Sequence, residues 1–431
     1  MLGELVLVLP EEFSWENIPK FFGKDFFLLD DSSEQSADLS PEQNGLDSAS
    51  RLYVKRRGGI LISGVSRVKV VYDEGRMVIG GQGIAVRELV LTRMSGSLGE
   101  CLRQAARLSK RYKCVLESRT HRQRAKDTMD GVMFGRFHIE EFSGRTLEDA
   151  LHELIWWHLC GISQASAEFF LHSGERLPVR RLRVEIRKLR AVLAMLKGAL
   201  NPDAVRWQEK LRTYTVRLSR LRELDIAAGN WRGSALNRKN RSKQGDLLSA
   251  FLTRERAEEL AKIKPSFELT KFTPFLISFM EWIAKDPIRE GYEEALLDKL
   301  AQKKLLRWHR FMQKTVKQYP DFSSDKDAHT VRVKAKSARY VMQSMSGKAY
   351  GDDNKVLRNL KRLLDALGIM RDNYVNEVLA RSMLKRENDP ELIYQAGIFA
   401  GGEHAQSLRV KKILPDLWEK FAADWERWLA R

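Results

Sequence analysis

Eight basic residues recur at one spacing in this chain. Arg180, Arg183, Arg187 and Arg190 follow one another at intervals of three, four and three. His329, Arg332, Lys336 and Arg339 repeat the pattern, each member 149 positions after its counterpart. At about 100° per residue, this spacing confines four side chains to a narrow arc of an α-helix, stacked over roughly 15 Å. Like charges so placed repel by a few tenths of a kcal/mol per pair. Carrying the arrangement twice points to an anionic partner that neutralises it. An extended polyanion matches a line of charge better than a compact ligand does.

The elements that must hold these stripes are legible beside them. Leu182, Ile186, Leu189, Leu193 and Leu196 form a separate apolar face next to the first stripe. Val331, Ala335, Ala338, Met342 and Met345 do so at the same offsets beside the second. Each segment predicts a helix that is apolar toward a core and basic along a neighbouring face. The register continues without a gap: Leu211, Leu218, Leu221 and Arg222 map onto Leu360, Leu367, Met370 and Arg371 by the same 149. An internal duplication accounts for this.

A chain of 431 residues exceeds one typical core, so two or three domains are expected. The net charge of +18 is uneven, with about +2 on residues 1–140 and about +16 on the remainder. The positive field therefore belongs to the duplicated part and favours polyanions. Cys101, Cys114 and Cys160 lack pairing or metal-ligand spacing and suit a reducing compartment. The apolar run Leu5 to Leu9 stops at Pro10-Glu11-Glu12 and lacks the basic start of a signal peptide. No segment approaches the ~20 apolar residues of a membrane span. These features point to a cytoplasmic protein without a membrane partner.

Along the chain, residues 1–140 predict a strand-rich domain. Leu5 to Leu9 and Phe26 to Leu29 are short apolar runs, and the acidic, Ser-rich residues 31–50 predict a mobile loop. Val68 to Tyr72 and Met77 to Ile79 flank Asp73-Glu74-Gly75, which predicts a hairpin there. The strand Val86 to Leu91 precedes an amphipathic helix from Leu98 to Tyr112, and a short strand follows near Val115. Gly80-Gly81-Gln82-Gly83 is a turn, since no helix start follows it. From Thr146, a helix-start residue, long helical periods take over: 147–172, 179–200, 203–229, 250–262, 271–285, 289–318, 328–347, 352–384 and 388–400, with a basic loop at 230–246. Trp418, Phe421, Trp425 and Trp428 share one face of a terminal helix and read as core packing. So do Trp157-His158 and Trp308-His309, which recur 151 apart with no acid or cysteine at metal-ligand spacing.

The stripe Val179-Arg180-Arg181-Leu182-Arg183-Val184, followed by Arg187-Lys188-Leu189-Arg190, resembles the signature helix of the CHAD family, the conserved histidine α-helical domain. His329, Arg332, Lys336, Arg339 and Tyr340 resemble that family's second signature, and Arg222-Glu223-Leu224-Asp225 and Arg371-Asp372 its Arg-Asp segments. The resemblance covers roughly 145–431, with halves near 147–285 and 289–431. It implies two pseudo-symmetric helical bundles forming a basic groove for inorganic polyphosphate. The eight stripe residues would contact phosphate, with no catalytic residues, no metal and no cofactor among them. Arg222, Arg371 and Tyr340 are secondary candidates, and for the two arginines an ion pair with a neighbouring carboxylate competes with ligand contact. The first signature usually opens on histidine. Arg180 stands there instead, which keeps the charge but removes a titrating imidazole.

The preceding region bears a weaker resemblance to the CYTH family, a triphosphate tunnel fold. In that family, alternating carboxylates on a strand hold divalent metal. Here Glu4-Leu5-Val6-Leu7-Val8 and Glu88-Leu89-Val90-Leu91-Thr92 each keep a single acid, while Leu98 to Tyr112 and Glu117-Ser118-Arg119 resemble the closing segment. Losing clustered acids removes the charge that two-metal phosphoryl chemistry needs. A degenerate, non-catalytic domain is the resulting expectation, within an α+β chain. The leading reading is a non-enzymatic polyphosphate binder, with direction to polyphosphate granules as a further expectation. The alternatives are a non-specific nucleic-acid binder, whose electrostatics would look similar, and a metal-dependent triphosphatase fed by the helical domain.

Overall fold

A computed structural model describes residues 4–38, 50–117, 119–129, 142, 144–172, 174–234, 245–345 and 355–429. It shows an antiparallel sheet region followed by helices, an α+β chain. Two compact units emerge, each assembled from separate stretches. The first takes Met1–His138, Glu148–His172 and Ser266–Pro287, and the second takes Ile139–Leu147, Ser173–Pro265 and Ile288–Arg431.

The first unit holds strands β1 (Glu4–Val8), β2 (Phe26–Asp38), β3 (Arg51–Ser63), β4 (Ser66–Ile79), β5 (Gln82–Ser95) and β6 (Val115–Glu117) in one sheet of order β2-β3-β4-β5-β1-β6. Its helices are α1 (Asn17–Phe22), α2 (Leu98–Arg111), α3 (His121–Met129), α4 (Leu147–Leu171, from Glu148 on) and, from much later in the chain, α8 (Leu269–Ile283). The sheet is consistent with the CYTH-like fold expected of this region. Leu5 and Leu7 of β1 and Leu89 and Leu91 of β5 are buried on one face. Against α2 packs α8. Polar contacts also tie later helices to the sheet: Leu116 N donates to Ser163 Oγ at 3.0 Å, and Thr273 Oγ1 donates to Cys114 O at 2.7 Å. The opposite face carries Leu52, Val54, Met77, Ile79 and Val86, and Ala125 of α3 closes that core. Ser97 caps α2, accepting from Glu100 N at 3.2 Å.

Two expectations for this region fail. No hairpin forms at Asp73-Glu74-Gly75; β4 runs straight through, and the turn lies at Gly80-Gly81, both at positive φ. Gly75 is there for closeness, because a Cβ on it would meet Tyr53 O at 2.0 Å. Nor is 31–50 wholly a loop: residues 31–38 continue β2, paired to β3 through Asp38 and Arg51, while 39–49 lie outside the described residues.

The second unit is helical: α5 (Arg176–Met195), α6 (Asp203–Gly233), α7 (Leu247–Ile263), α9 (Leu297–Gln318), α10 (Asp325–Ser344), α11 (Lys355–Leu384) and α12 (Pro390–Leu429). The duplication is visible in the boundaries, since α5 and α10 both span 20 residues and begin and end 149 apart. Their apolar faces are buried as expected. Residues 289–296 form turns instead of the first turns of α9. Of the loop expected at 230–246, Gly233 still belongs to α6, and 235–244 lie outside the described residues. The segments read as separate helices from 388 onward are one helix. Its buried stripe, Leu392, Ala396, Phe399, Glu403, Val410, Leu414, Trp418, Phe421 and Trp425, continues across Gly401-Gly402, and packing against α11 overrides those glycines. His309 lies between Trp418 and Trp425, 6.3 and 5.3 Å between ring centroids, and burial pushes its imidazole down to about 4. That motif and the terminal aromatic stripe are core. Among the described residues, no helix is long and apolar enough to cross a membrane.

Candidate functional site: a basic groove on four helices

In the second unit α5 packs directly on α10, α6 on α5, and α11 on α10 and α6. Each signature helix turns its apolar face into the core, and a stripe about 120° away then meets its counterpart. A cavity of about 530 Å³ opens where they meet. Arg183, Arg187 and Arg190 line it from α5, and His329 and Arg332 from α10. Arg222 lines it from α6, and Arg371 with Asp372 from α11. Electrostatic reach confirms the convergence: Arg183 feels both Arg187 and Arg332, and His329 feels Arg371, Arg332 and Arg187.

The remaining expected residues are placed differently. Lys336 is not among the cavity-lining residues, but Arg187, Arg332 and Arg183 act on it. Arg180 is exposed at the N-terminal end of its stripe, and Arg339 is half-buried near Tyr340; neither lines the cavity. Tyr340 is only 6% exposed, with Lys336 Nζ 5.9 Å from its ring centroid, so it presents no face for a base to stack on. For Arg222, neighbouring carboxylates still act: Asp225 and Asp372 both oppose the lowering by burial. Asp225 is bridged by Arg256 Nε at 2.7 Å, with Arg176 at 3.9 Å, while Arg222 lines the cavity.

Electrostatics mark the groove as strained. Burial pushes Arg183 down to about 10, helped by Arg187 and Arg332. Burial and then Arg187, Arg332 and Arg183 push Lys336 down to about 6. Arg190, Arg222, His329 and Arg332 are all lowered as well, with burial as the leading cause. Asp372 is raised by burial despite the pull of Arg332 and Arg222. Arg183 Nε, Arg190 Nε, Arg332 Nε and His329 Nδ1 are buried with no hydrogen-bond partner among the described residues. Buried polar groups are paired as a rule, so three orphaned guanidinium N–H groups and one imidazole nitrogen on two converging stripes ask for partners from outside.

Reading the stripes alone misses Arg212, Ser219 and Asn376. With Thr215, Arg222 and Ile226, Arg212 and Ser219 sit at the same three–four spacing along α6 and line the cavity. The signal was present in the spacing, but only two of its members are basic. Beneath the groove, Asn376 Nδ2 donates to Glu403 Oε2 at 2.7 Å, and Asn230 Nδ2 donates to the same oxygen at 3.0 Å. Burial pushes that carboxyl up.

The first unit holds a contrasting set. Glu88, one of the acids left from the CYTH pattern, meets His121 Nε2 at 3.0 Å and accepts from Arg124 Nη1, both on α3. Burial pushes Glu88 up, but those hydrogen bonds and charges overcome it and hold the carboxyl at about 2. Glu117 accepts from Arg119 Nη2 at 2.8 Å and from Gln164 Nε2 at 2.9 Å, and Arg119 also reaches Asp127 at 3.0 Å. Arg56 clasps Asp73 with two bonds, at 2.7 and 2.6 Å. Of Glu4 the structure describes the backbone, paired with Thr92.

With this geometry in hand, comparison with known proteins identifies the fold. The family model for the CHAD domain matches residues 164–381, half of the chain. The chain belongs to the CHAD family. Similar solved structures include PptA from Streptomyces chartreusis, with a TM-score of 0.50 at 16% identity over 63% of this chain and 99% of that one. The CHAD domain from the plant Ricinus communis gives a TM-score of 0.50 at 16% identity over 66% of this chain and 94% of that one. No curated protein matches the sequence significantly. The matched residues include both basic stripes.

Proposed function

We propose that the groove of this CHAD protein binds inorganic polyphosphate and does not transform it. The observation that carries the reading is the set of orphaned polar atoms, Arg183 Nε, Arg190 Nε, Arg332 Nε and His329 Nδ1, on two basic stripes that crowd one cavity. Phosphate oxygens suit guanidinium forks bidentately and suit Lys and His⁺ as single donors. A chain of linked phosphates supplies many acceptors in a line, as the stripes do with donors. Recruitment to polyphosphate granules follows from the same affinity.

A non-enzymatic role is supported by the first unit. Glu88, Glu117 and Asp73 are neutralised by cations of the same fold, so they do not stand ready as metal ligands. Strand-stacking recognition of nucleic acid wants several exposed aromatics among the cations; Tyr340 is buried, and only the exposed Tyr374, beside Arg371, offers a ring among the described groove residues. The test is competition at near-physiological salt: labelled long-chain polyphosphate displaced by single-stranded DNA, RNA or tripolyphosphate. Polyphosphate is expected to win over nucleic acid by at least about tenfold, about 1.4 kcal/mol. Equal displacement by every polyanion at matched charge would reduce the groove to a generic basic surface. Phosphate release from tripolyphosphate with Mg²⁺, abolished by Glu4→Ala, would show an enzyme.

A further inference from the structure

A second group of cations lies outside the groove. Lys304 on α9 is half-buried, and the charges acting on it are Arg307 of the same helix, Lys334 of α10 and Lys197 in the turn after α5. All are positive. Lys304 Nζ lies 5.6 Å from the ring centroid of Trp308, and Lys334 Nζ lies 5.5 Å from that of Phe311. Arg289 joins the same turn, donating from Nη1 to Gly198 O at 3.4 Å. Burial and these like charges hold Lys304 below the ordinary lysine value.

Helical geometry separates this cluster from the groove. Lys334 is two residues from both Arg332 and Lys336, about 200° around α10, so it leaves the helix on the side away from the stripe. Lys197 is the link: it follows Arg190 by seven residues, in the turn just past the C-terminal end of α5. Nor is the cluster a by-product of the duplication. The register pairing Trp157-His158 with Trp308-His309 puts Glu153 and Trp156 at the places of Lys304 and Arg307. The 149-residue register puts Glu185, bonded to Lys188 at 2.7 Å, at the place of Lys334. Two acids and an indole stand where the second half carries three cations.

We propose that Lys197, Lys304, Arg307 and Lys334 form a second subsite for the part of a long anionic chain that leaves the groove past Arg190, so that the protein prefers long polyphosphate to short. The inference rests on the polyphosphate reading of the groove. A chain leaving past Arg190 and Arg212 meets Lys197 next, whereas one short enough to lie within the groove never reaches Lys304.

The experiment titrates the full chain with tripolyphosphate and with linear polyphosphate on the order of 100 phosphates, over a range of salt. Wild type is compared with Lys304→Ala/Arg307→Ala/Lys334→Ala and with Arg187→Ala/Arg332→Ala, helicity being checked by circular dichroism. The triple variant is expected to lose about tenfold for the long chain, with a salt slope shallower by about 2, and to bind tripolyphosphate unchanged. Unaltered long-chain affinity, or the same loss for both ligands, overturns the second subsite. A groove variant that binds both ligands like wild type overturns instead the reading beneath it. Should the triple variant fold poorly, Arg307→Gln, on an exposed side chain, makes the same discrimination with a smaller loss.

Discussion

Two regions of this molecule bury charge, and they do so in opposite ways. Around Glu88, opposite charges close on one another, so burial is overcome and the carboxyl stays ionised down to about 2. Around Lys336, burial and like charges outweigh the opposing pull of Asp372, and the amine is driven down to about 6. Charge cancelled inside the fold is structure, and removing one partner leaves the other stranded. Charge left uncancelled is a standing cost to the free protein that only an outside ligand relieves. The sign of the neighbours therefore separates scaffold from site.

The largest effect should come from breaking the groove. Arg183→Ala/Arg187→Ala/Arg332→Ala/Lys336→Ala is expected to weaken polyphosphate binding on the order of thousandfold, about 4 kcal/mol, and to flatten the salt slope by about 3. The ligand-free variant should melt no lower than wild type, because mutually repelling buried cations have been removed. A large fall in melting temperature together with unchanged affinity would mean that these residues hold the fold and bind nothing.

The counterpart variant, Glu88→Ala, should do the reverse. Stranding His121 and Arg124 is expected to cost about 3 kcal/mol of stability, at the lower end for a broken buried pair, with polyphosphate affinity unchanged. In wild type, that contribution is present above the unfolded carboxylate value of about 4.3 and is lost as pH falls toward 2. Denaturant unfolding at pH 7 and pH 3 measures both. Equal stability of variant and wild type at pH 7 would show that the clasp does not hold α3.

How far each region could be read from sequence follows from the same contrast. The stripes and their apolar faces were legible because each helix buries a periodic face and the pattern occurs twice. Helix α3 was not. Ala125 is its sole buried residue, and Arg124 and His121 fasten it to Glu88, so it carries no hydrophobic period to detect. Arg212 and Ser219 were hidden because their stripe mixes charged and neutral members. The packing of α8 on α2 was out of reach as well, since a helical period says that a face is buried and not against what. The misread hairpin at Gly75 has a cause of its own: a glycine signals a turn or a close approach, and periodicity cannot tell which. Gly75→Ala, pressed against Tyr53 O, should destabilise by about 2 kcal/mol. A neutral change in thermal melting would show that β3 can yield there.

The sharpest test depends on the sign of a shift rather than on its size. In the free protein, Lys336 titrates at about 6. Phosphate oxygens in the groove would draw it back toward the ordinary lysine value, so binding takes up a proton at pH values between the two. Affinity is then expected to fall as pH rises from 6 to 8, by up to about tenfold per unit. His329, lowered by burial and by Arg371, Arg332 and Arg187, adds to the slope at the acid end. Calorimetry in buffers of different ionisation enthalpy counts the proton directly. Lys336→Arg keeps the charge without the titration and should flatten the profile above pH 7 while preserving affinity at pH 6. Glu88, ionised throughout this range, should contribute nothing to it. A profile unchanged in Lys336→Arg would place the proton elsewhere and remove the electrostatic strain on which the comparison turns.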